Sequence, residues 1–325
     1  MTKQLFRYVK KFLPIIGILL LAYLVYIIGP EDILNSVFQI HPIYIVIALF
    51  LMIPRVFVRN YAWQLIQKEQ KIKIGYWQSL KIMLIGFFYG SWTPGYVGQL
   101  MRIPYMKQKT SEPYGKLFIN VIIEVTLHSL SLYLIIVIGA LLILSYQPAI
   151  LYIIIAYLVI TGVILFYFIK KERGEKLLCT LIKWFIPKSF KGSFNSFVST
   201  FYTDFPKIRR LVLPFIISSI SWILIFTQEY IIIIALDLDI PYLYFLLLFP
   251  IANAAGFIPA TFGGLGFREY VAVLIFSTIF LVPDEKILVV SILGFLITDV
   301  FTGFIGFLLS LTETRDKSYK NLKNN

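Results

Sequence analysis

The chain has 325 residues, of which 59% are apolar and only 14% charged, with a mean hydropathy of +0.82. Water-soluble chains carry about a quarter charged residues, and apolar runs of the ~20 residues needed to cross a bilayer recur from end to end, so a soluble domain is excluded. The runs are continuous rather than alternating, which excludes a porin-like barrel.

The net charge of +13 does not report a nucleic-acid partner, because the basic residues gather in particular loops. They cluster at Lys3, Arg7, Lys10 and Lys11, at Lys170, Lys171, Arg173 and Lys176, and at Arg315, Lys317, Lys320 and Lys323. Cytoplasmic loops carry that excess under the positive-inside rule, with anionic inner-leaflet lipid as the counter-charge. Both termini are therefore placed in the cytoplasm and the chain in the plasma membrane.

In chain order, Leu13 to Ile28 follows a basic start. Gly29-Pro30-Glu31-Asp32 lacks a small-x-small cleavage pattern, so this is read as a retained first helix leading to an acidic outer loop. A second helix over about 42 to 64 returns to Lys68, Lys71, Lys73 and Lys81. Apolar residues 82 to 93 then reach a break, and Arg102, Lys107, Lys109 and Lys116 follow. A single crossing would leave this second basic group outside, so a hairpin that enters and leaves from the cytoplasm is predicted. Helices over about 116 to 146 and 149 to 169 pass out and back. The basic segment 170 to 210 carries Phe194, Phe197, Phe201 and Phe205 at helical spacing, suited to lying on the membrane surface. A helix over about 211 to 236 emerges at Asp237 and Asp239, residues 242 to 282 leave and return, and a last helix over 286 to 311 delivers the basic tail inside.

The expected fold is an all-α polytopic membrane protein with about six spanning helices and two re-entrant, broken hairpins arranged as an inverted repeat. One membrane domain covers 1 to 312, with pseudo-repeats at about 1 to 146 and 149 to 312, and 313 to 325 form a basic cytoplasmic tail. The two breaks correspond. "TPGYVGQLMR" (93 to 102) and "IPATFGGLGFR" (258 to 268) each have proline, glycine four residues later, and arginine eight or nine residues after the proline. Inverted repeats with matching Gly/Pro-interrupted segments point to a transporter's central site.

Unpaired backbone in hydrocarbon costs several kcal/mol per group, so such breaks persist only where protein or water satisfies them. Pro94 and Pro259 stop the incoming half-helices. Gly95, Gly98, Gly263, Gly264 and Gly266 allow tight turning and close approach. Helix is expected to restart near Gln99 and Phe267, each restart offering free N–H groups to an anion, with Arg102 and Arg268 within a turn. Guanidinium matches phosphate oxygens in bidentate geometry. The competing readings are glycines that serve only close helix packing and an Arg268 neutralised by its neighbour Glu269.

Glu124 and Asp299 lie deep in the helices that follow the two hairpins, as a proton or cation relay or as counter-ions for the arginines. Glu229 is read as a hydrogen-bonded structural carboxyl. One cysteine, Cys179, allows no internal disulfide. The scattered His41 and His128 make no metal site, and neither a dinucleotide fingerprint nor a Walker loop is present. No cofactor or metal is expected.

At these residues a family comes into view. "GFIPATFGGLGFREY" resembles the P-x-x-x-G-G-x-G-x-x-E signature of the flippase-like family related to the lysylphosphatidylglycerol synthase transmembrane region, and "WTPGYVGQLMR" is similar to its LTPG-x-x-G-E-x-x-R motif. Glu124 falls where that family usually has a glutamate in the following helix. Gln99 stands in place of the first motif's usual glutamate, and His128 falls near where an acidic residue is common. The chain has no counterpart of the soluble domain that transfers amino acids in the full synthases, so the resemblance implies lipid translocation rather than aminoacylation.

The leading expectation is a flippase- or scramblase-like carrier of a phospholipid or polyprenyl-phosphate-linked glycolipid. Its headgroup would be held between Pro94–Arg102 and Pro259–Glu269. The alternatives are a polyprenyl-phosphate-sugar glycosyltransferase using Asp237 and Asp239 for a metal, and a non-transporting membrane partner.

Overall fold

The computed structural model describes residues 17–91, 93–143, 159, 206–255 and 264–323, and the elements among them are all helical. The span expected at 149 to 169 apart from Val159, the phenylalanine stripe, Cys179, Pro259 and Gly263 lie outside the described residues.

The first helix, α1 (Gly17–Ile28), meets α2 (Pro30–Phe38) at an 85° bend. Gly29 makes the bend at φ 102°, a conformation that side-chain-bearing residues avoid. Pro30 then takes the first helical position, and Glu31 and Asp32 fill the first turn, where the positive end of the helix dipole favours them. The acidic stretch expected as a loop is thus a helix start. His41 caps α3 (Pro42–Glu69), its Nδ1 accepting from the Ile43 N–H at 3.3 Å.

The first break follows α4 (Tyr76–Ser91). The chain continues as a 3-10 helix, Pro94–Met101, and the short α5 (Arg102–Lys107) before α6 (Tyr114–Ile143). The second half repeats this plan with α7 (Ile208–Ala235), α8 (Tyr242–Ala255), α9 (Phe267–Phe280) and α10 (Asp284–Phe295). A π-helical turn, Leu296–Val300, joins α10 to α11 (Phe301–Lys323), so helix continues through the segment expected as a tail.

Among the described residues, four helical stretches are long and apolar enough to cross a bilayer: Pro42–Glu69, Tyr114–Leu141, Ile208–Ala235 and Asp284–Glu313. The bent α1–α2 pair makes a fifth if counted as one span. By contrast, α8 and α9 have 14 residues each, or about 21 Å at 1.5 Å per residue, short of the ~30 Å hydrocarbon core. They fold back on one another, as α4 does on the 3-10 segment.

Ion pairs and ring contacts show that each hairpin enters and leaves by one side. Lys81, ahead of the first break, and Lys109, beyond it, both bind Glu313 of α11, at 3.0 and 3.4 Å. In the second hairpin, Tyr244 at the start of α8 lies 5.8 Å from Phe280 at the end of α9.

The two halves are inverted. At one end of the α3–α7 pair, Arg210 binds Glu69 at 2.7 Å. At the other, Ile40 joins the core cluster of Ile232 and Leu236. The equivalent helices therefore run antiparallel. Packing partners also exchange between halves, since α4 lies on α11 as α8 lies on α6.

The polar ends sort by sign. Lys81, Lys109 and Arg210 gather with α3's last turn and Lys68 at one rim. Asp237, Asp284 and Glu285 mark the other, where Lys286 donates to the Leu236 carbonyl at 3.1 Å.

Candidate functional site

A cavity of about 130 Å³ lies among α3, the first hairpin, α6, α7 and the π-helical turn, with Asn253 added from the second hairpin. By that measure one water needs about 10–15 Å³, so roughly ten waters fit, or a phosphate with part of its hydration shell. Two cations line it, Arg55 and Arg59, one helical turn apart on α3 and so on one face. The sequence reading passed over both, although two arginines at i and i+4 inside a span of 28 residues meet the rule that intramembrane charge marks a site.

Arg55 is tied to the last span. Its Nη2 donates to the Thr298 carbonyl at 2.8 Å and to Thr302 Oγ1 at 2.5 Å. The π-helical turn departs from the α-helical pattern there, and a backbone carbonyl at such a turn is readily taken by a side chain from outside. Asp299 sits in the same turn. It accepts from Tyr96 Oη at 3.3 Å and from Thr298 Oγ1 at 2.9 Å. The first break, α3 and the last span thus meet at one point.

Arg59 and Arg102 share Glu124. Arg59 Nε reaches Oε1 at 2.9 Å and Arg102 Nη1 reaches Oε2 at 2.5 Å. Gln99 Oε1 accepts from both guanidiniums. Arg59 lies over the Phe87 ring at 4.6 Å, and Arg102 over Trp63 at 5.2 Å. In this cluster two guanidiniums face a single carboxylate and a neutral amide, which leaves one net positive charge. Of the two arginines, only Arg59 borders the cavity among the described residues.

Arg102 is fully buried. A Cβ added to Gly86 of α4 would collide with its Nε and Cγ, so that glycine makes room for the guanidinium. Arg268 is also buried, donating to Glu269 and, at 3.1 Å, to Ser291 Oγ, with the Phe295 ring 4.7 Å beneath. Glu269 Oε2 in turn accepts from the Gly266 N–H at 2.6 Å. Gly266, at φ 90°, caps α9, and its Cα packs against the Gly17 carbonyl. The helix N-terminus expected to hold an outside anion holds the protein's own carboxylate.

The remaining site residues fall as follows. Pro94 and Gly95 start the 3-10 helix. The Gly98 N–H donates to Thr93 Oγ1 at 2.7 Å, and Gly98 packs on the Tyr89 carbonyl. Gly264, at φ 84°, accepts from the Arg268 N–H at 3.1 Å. Gln99 and Asp299 border the cavity, whereas Glu124 stands behind Arg59. Asp237 and Asp239 are exposed at the acidic rim, away from the cavity.

Another part of the cavity lining is uncharged. It carries His128 and Ser129 of α6, Ser221 and Trp222 of α7, and Asn253 of α8. Trp222 Nε1 donates to the His128 carbonyl at 2.7 Å, and the two rings stack with centroids 4.4 Å apart.

The chain is thus an all-helical, polytopic membrane protein with a cationic cavity among its helices. The chain belongs to the family described as "Lysylphosphatidylglycerol synthase TM region", whose model matches residues 14–306. It is also similar to a "UPF0104 membrane protein" of Methanothermobacter thermautotrophicus, 25% identical over 282 residues, covering 81% of this chain and 83% of that protein.

Proposed function

We propose that the protein carries a phosphate-bearing lipid between the leaflets of the plasma membrane, the headgroup passing through the central cavity while the tails stay in the bilayer. The observation that carries this reading is the uncompensated positive charge of the Arg59, Arg102, Glu124 and Gln99 cluster, presented to the cavity through Arg59. A buried excess charge is costly, and a phosphate monoester or diester entering the cavity offsets it with charge-assisted hydrogen bonds. Membership of a family named for a lipid synthase's membrane region supports a lipid as the cargo.

In this reading Arg59 and Arg55 meet the phosphate. Arg102 and Arg268, placed by sequence as the clamps, act as positioning residues that hold the two broken hairpins in shape. Residues 1 to 312 work as one membrane domain whose pseudo-repeats, 1 to 146 and 149 to 312, open the cavity alternately to either face. The basic rim faces the cytoplasm, as do both termini and the 313 to 325 segment. The protein is a carrier rather than an enzyme. The lipid gradient, or an ion moving through Asp299, supplies the driving force.

Liposome reconstitution with an acyl-labelled anionic phospholipid tests the reading. The wild-type protein speeds label transfer between leaflets, and Arg59→Gln slows it by about tenfold or more, the scale of one lost charge-assisted contact. Transfer no faster than in protein-free vesicles would remove the proposal.

A further inference from the structure

The uncharged part of the cavity lining includes residues with polar atoms that no described residue uses. His128 is 4% exposed, and neither Nδ1 nor Nε2 has a hydrogen-bond partner among the described residues. Ser221 is fully buried, and its Oγ is likewise unpartnered. Leaving such groups unpaired is expensive, and the two residues that carry these atoms, on α6 and α7, both line one cavity. The imidazole is also held in place. Trp222 donates to the His128 carbonyl and stacks on its ring at an interplanar angle of 12°.

We propose that this part of the lining binds a neutral, hydroxyl-bearing group carried next to the phosphate, so that the cargo is a lipid with a polyol or sugar headgroup rather than an amine. The inference rests on the reading of the cavity as a phosphate-lipid site. An imidazole presents one donor and one acceptor, and a serine hydroxyl presents both. A hydroxyl group, itself donor and acceptor, satisfies that mixture. A primary ammonium only donates, leaves the N–H and O–H of the lining unpaired, and stands near a cluster with excess positive charge. A quaternary ammonium seeks an open aromatic face, and the Trp222 ring is already stacked on His128 and Phe226. Asp299, the one carboxylate bordering the cavity among the described residues, already accepts from Tyr96 and Thr298.

The test compares acyl-labelled phosphatidic acid, phosphatidylethanolamine and phosphatidylglycerol with a labelled polyprenyl-phosphate hexose in liposomes holding the full-length protein. Faster transfer of either hydroxylated lipid, by about tenfold over phosphatidic acid and phosphatidylethanolamine, is the expected result, and the faster of the two shows whether the headgroup comes on a glycerolipid or a polyprenol. His128→Phe and Ser221→Ala should each bring that ratio toward one. Ser221→Ala removes a single oxygen and keeps the test open should His128→Phe fail to fold. Equal rates for all phosphate lipids, or a ratio that survives Ser221→Ala, overturns this inference while leaving the carrier reading standing. No acceleration of any lipid overturns both.

Discussion

Arg59 and Arg102 take opposite oxygens of the Glu124 carboxylate, at 2.9 and 2.5 Å, and both also donate to Gln99. One carboxylate therefore holds α3, the end of the first break and α6 together. Glu124→Gln leaves the buried Arg102 and the part-buried Arg59 facing no anion, and breaking a buried pair from one side costs about 3–5 kcal/mol. The expected outcome is a marked drop in the thermal unfolding midpoint in detergent. An unchanged midpoint would show the clasp to be dispensable.

Gln99→Glu tests the charge excess from the other direction. A carboxylate at this position supplies the second negative charge and cancels the net positive charge of the cluster. Stability should hold or rise, because the new group lies within hydrogen-bond reach of both guanidiniums. Transfer of anionic lipid should fall by about tenfold or more, since a nearby charge at an effective dielectric of about 20 is worth several kcal/mol. Transfer rate and unfolding midpoint measured on the same preparation separate the two effects.

Arg268 and Glu269 form a closed pair that also caps α9 through the Gly266 N–H. Glu269→Gln should cost about 3 kcal/mol or more of stability. The double change Arg268→Met with Glu269→Gln should recover part of that loss, because no uncompensated charge remains. A double variant less stable than Glu269→Gln by the full cost of a second, independent loss would contradict the pairing.

The hairpin geometry makes a labelling prediction. In a background with Cys179→Ser, single cysteines at Lys81 and Lys109 should react with a membrane-impermeant maleimide from one side of sealed vesicles. Cysteines at Asp239 and Asp284 should react only from the other. Opposite labelling of positions 81 and 109 would mean that the first hairpin crosses the membrane.

Much of this organisation is legible in the residues. Pro94 with Gly98 announces the first break, the lysines flanking it require a return to the same side, and Phe267 begins α9 as expected. The chemistry of the centre is less so. Glu124 as a counter-ion and Glu269 as the neutraliser of Arg268 are among the readings the residues allow, but sequence spacing cannot choose them over ligand clamps, nor reveal a Gly86 notch cut to accept the Arg102 guanidinium. Arg55 and Arg59 escape notice inside a long apolar run, although their i, i+4 spacing at mid-span is itself the signal. The role of His128 depends on α6 and α7 meeting, which no local pattern encodes.

Glu313 grips Lys81 and Lys109 at once, so both legs of the first hairpin are buckled to the final helix at the basic rim. In the carrier reading proposed above, a gate on that side either swings hairpin and final helix as a single leaf or unfastens two ionic clasps together. The buckle sits where water and salt reach it, whereas the acidic rim closes on tyrosine and phenylalanine rings. The two rims are thus fastened by different means, ion pairs that answer to ionic strength at one and ring contacts that answer to the surrounding hydrocarbon at the other.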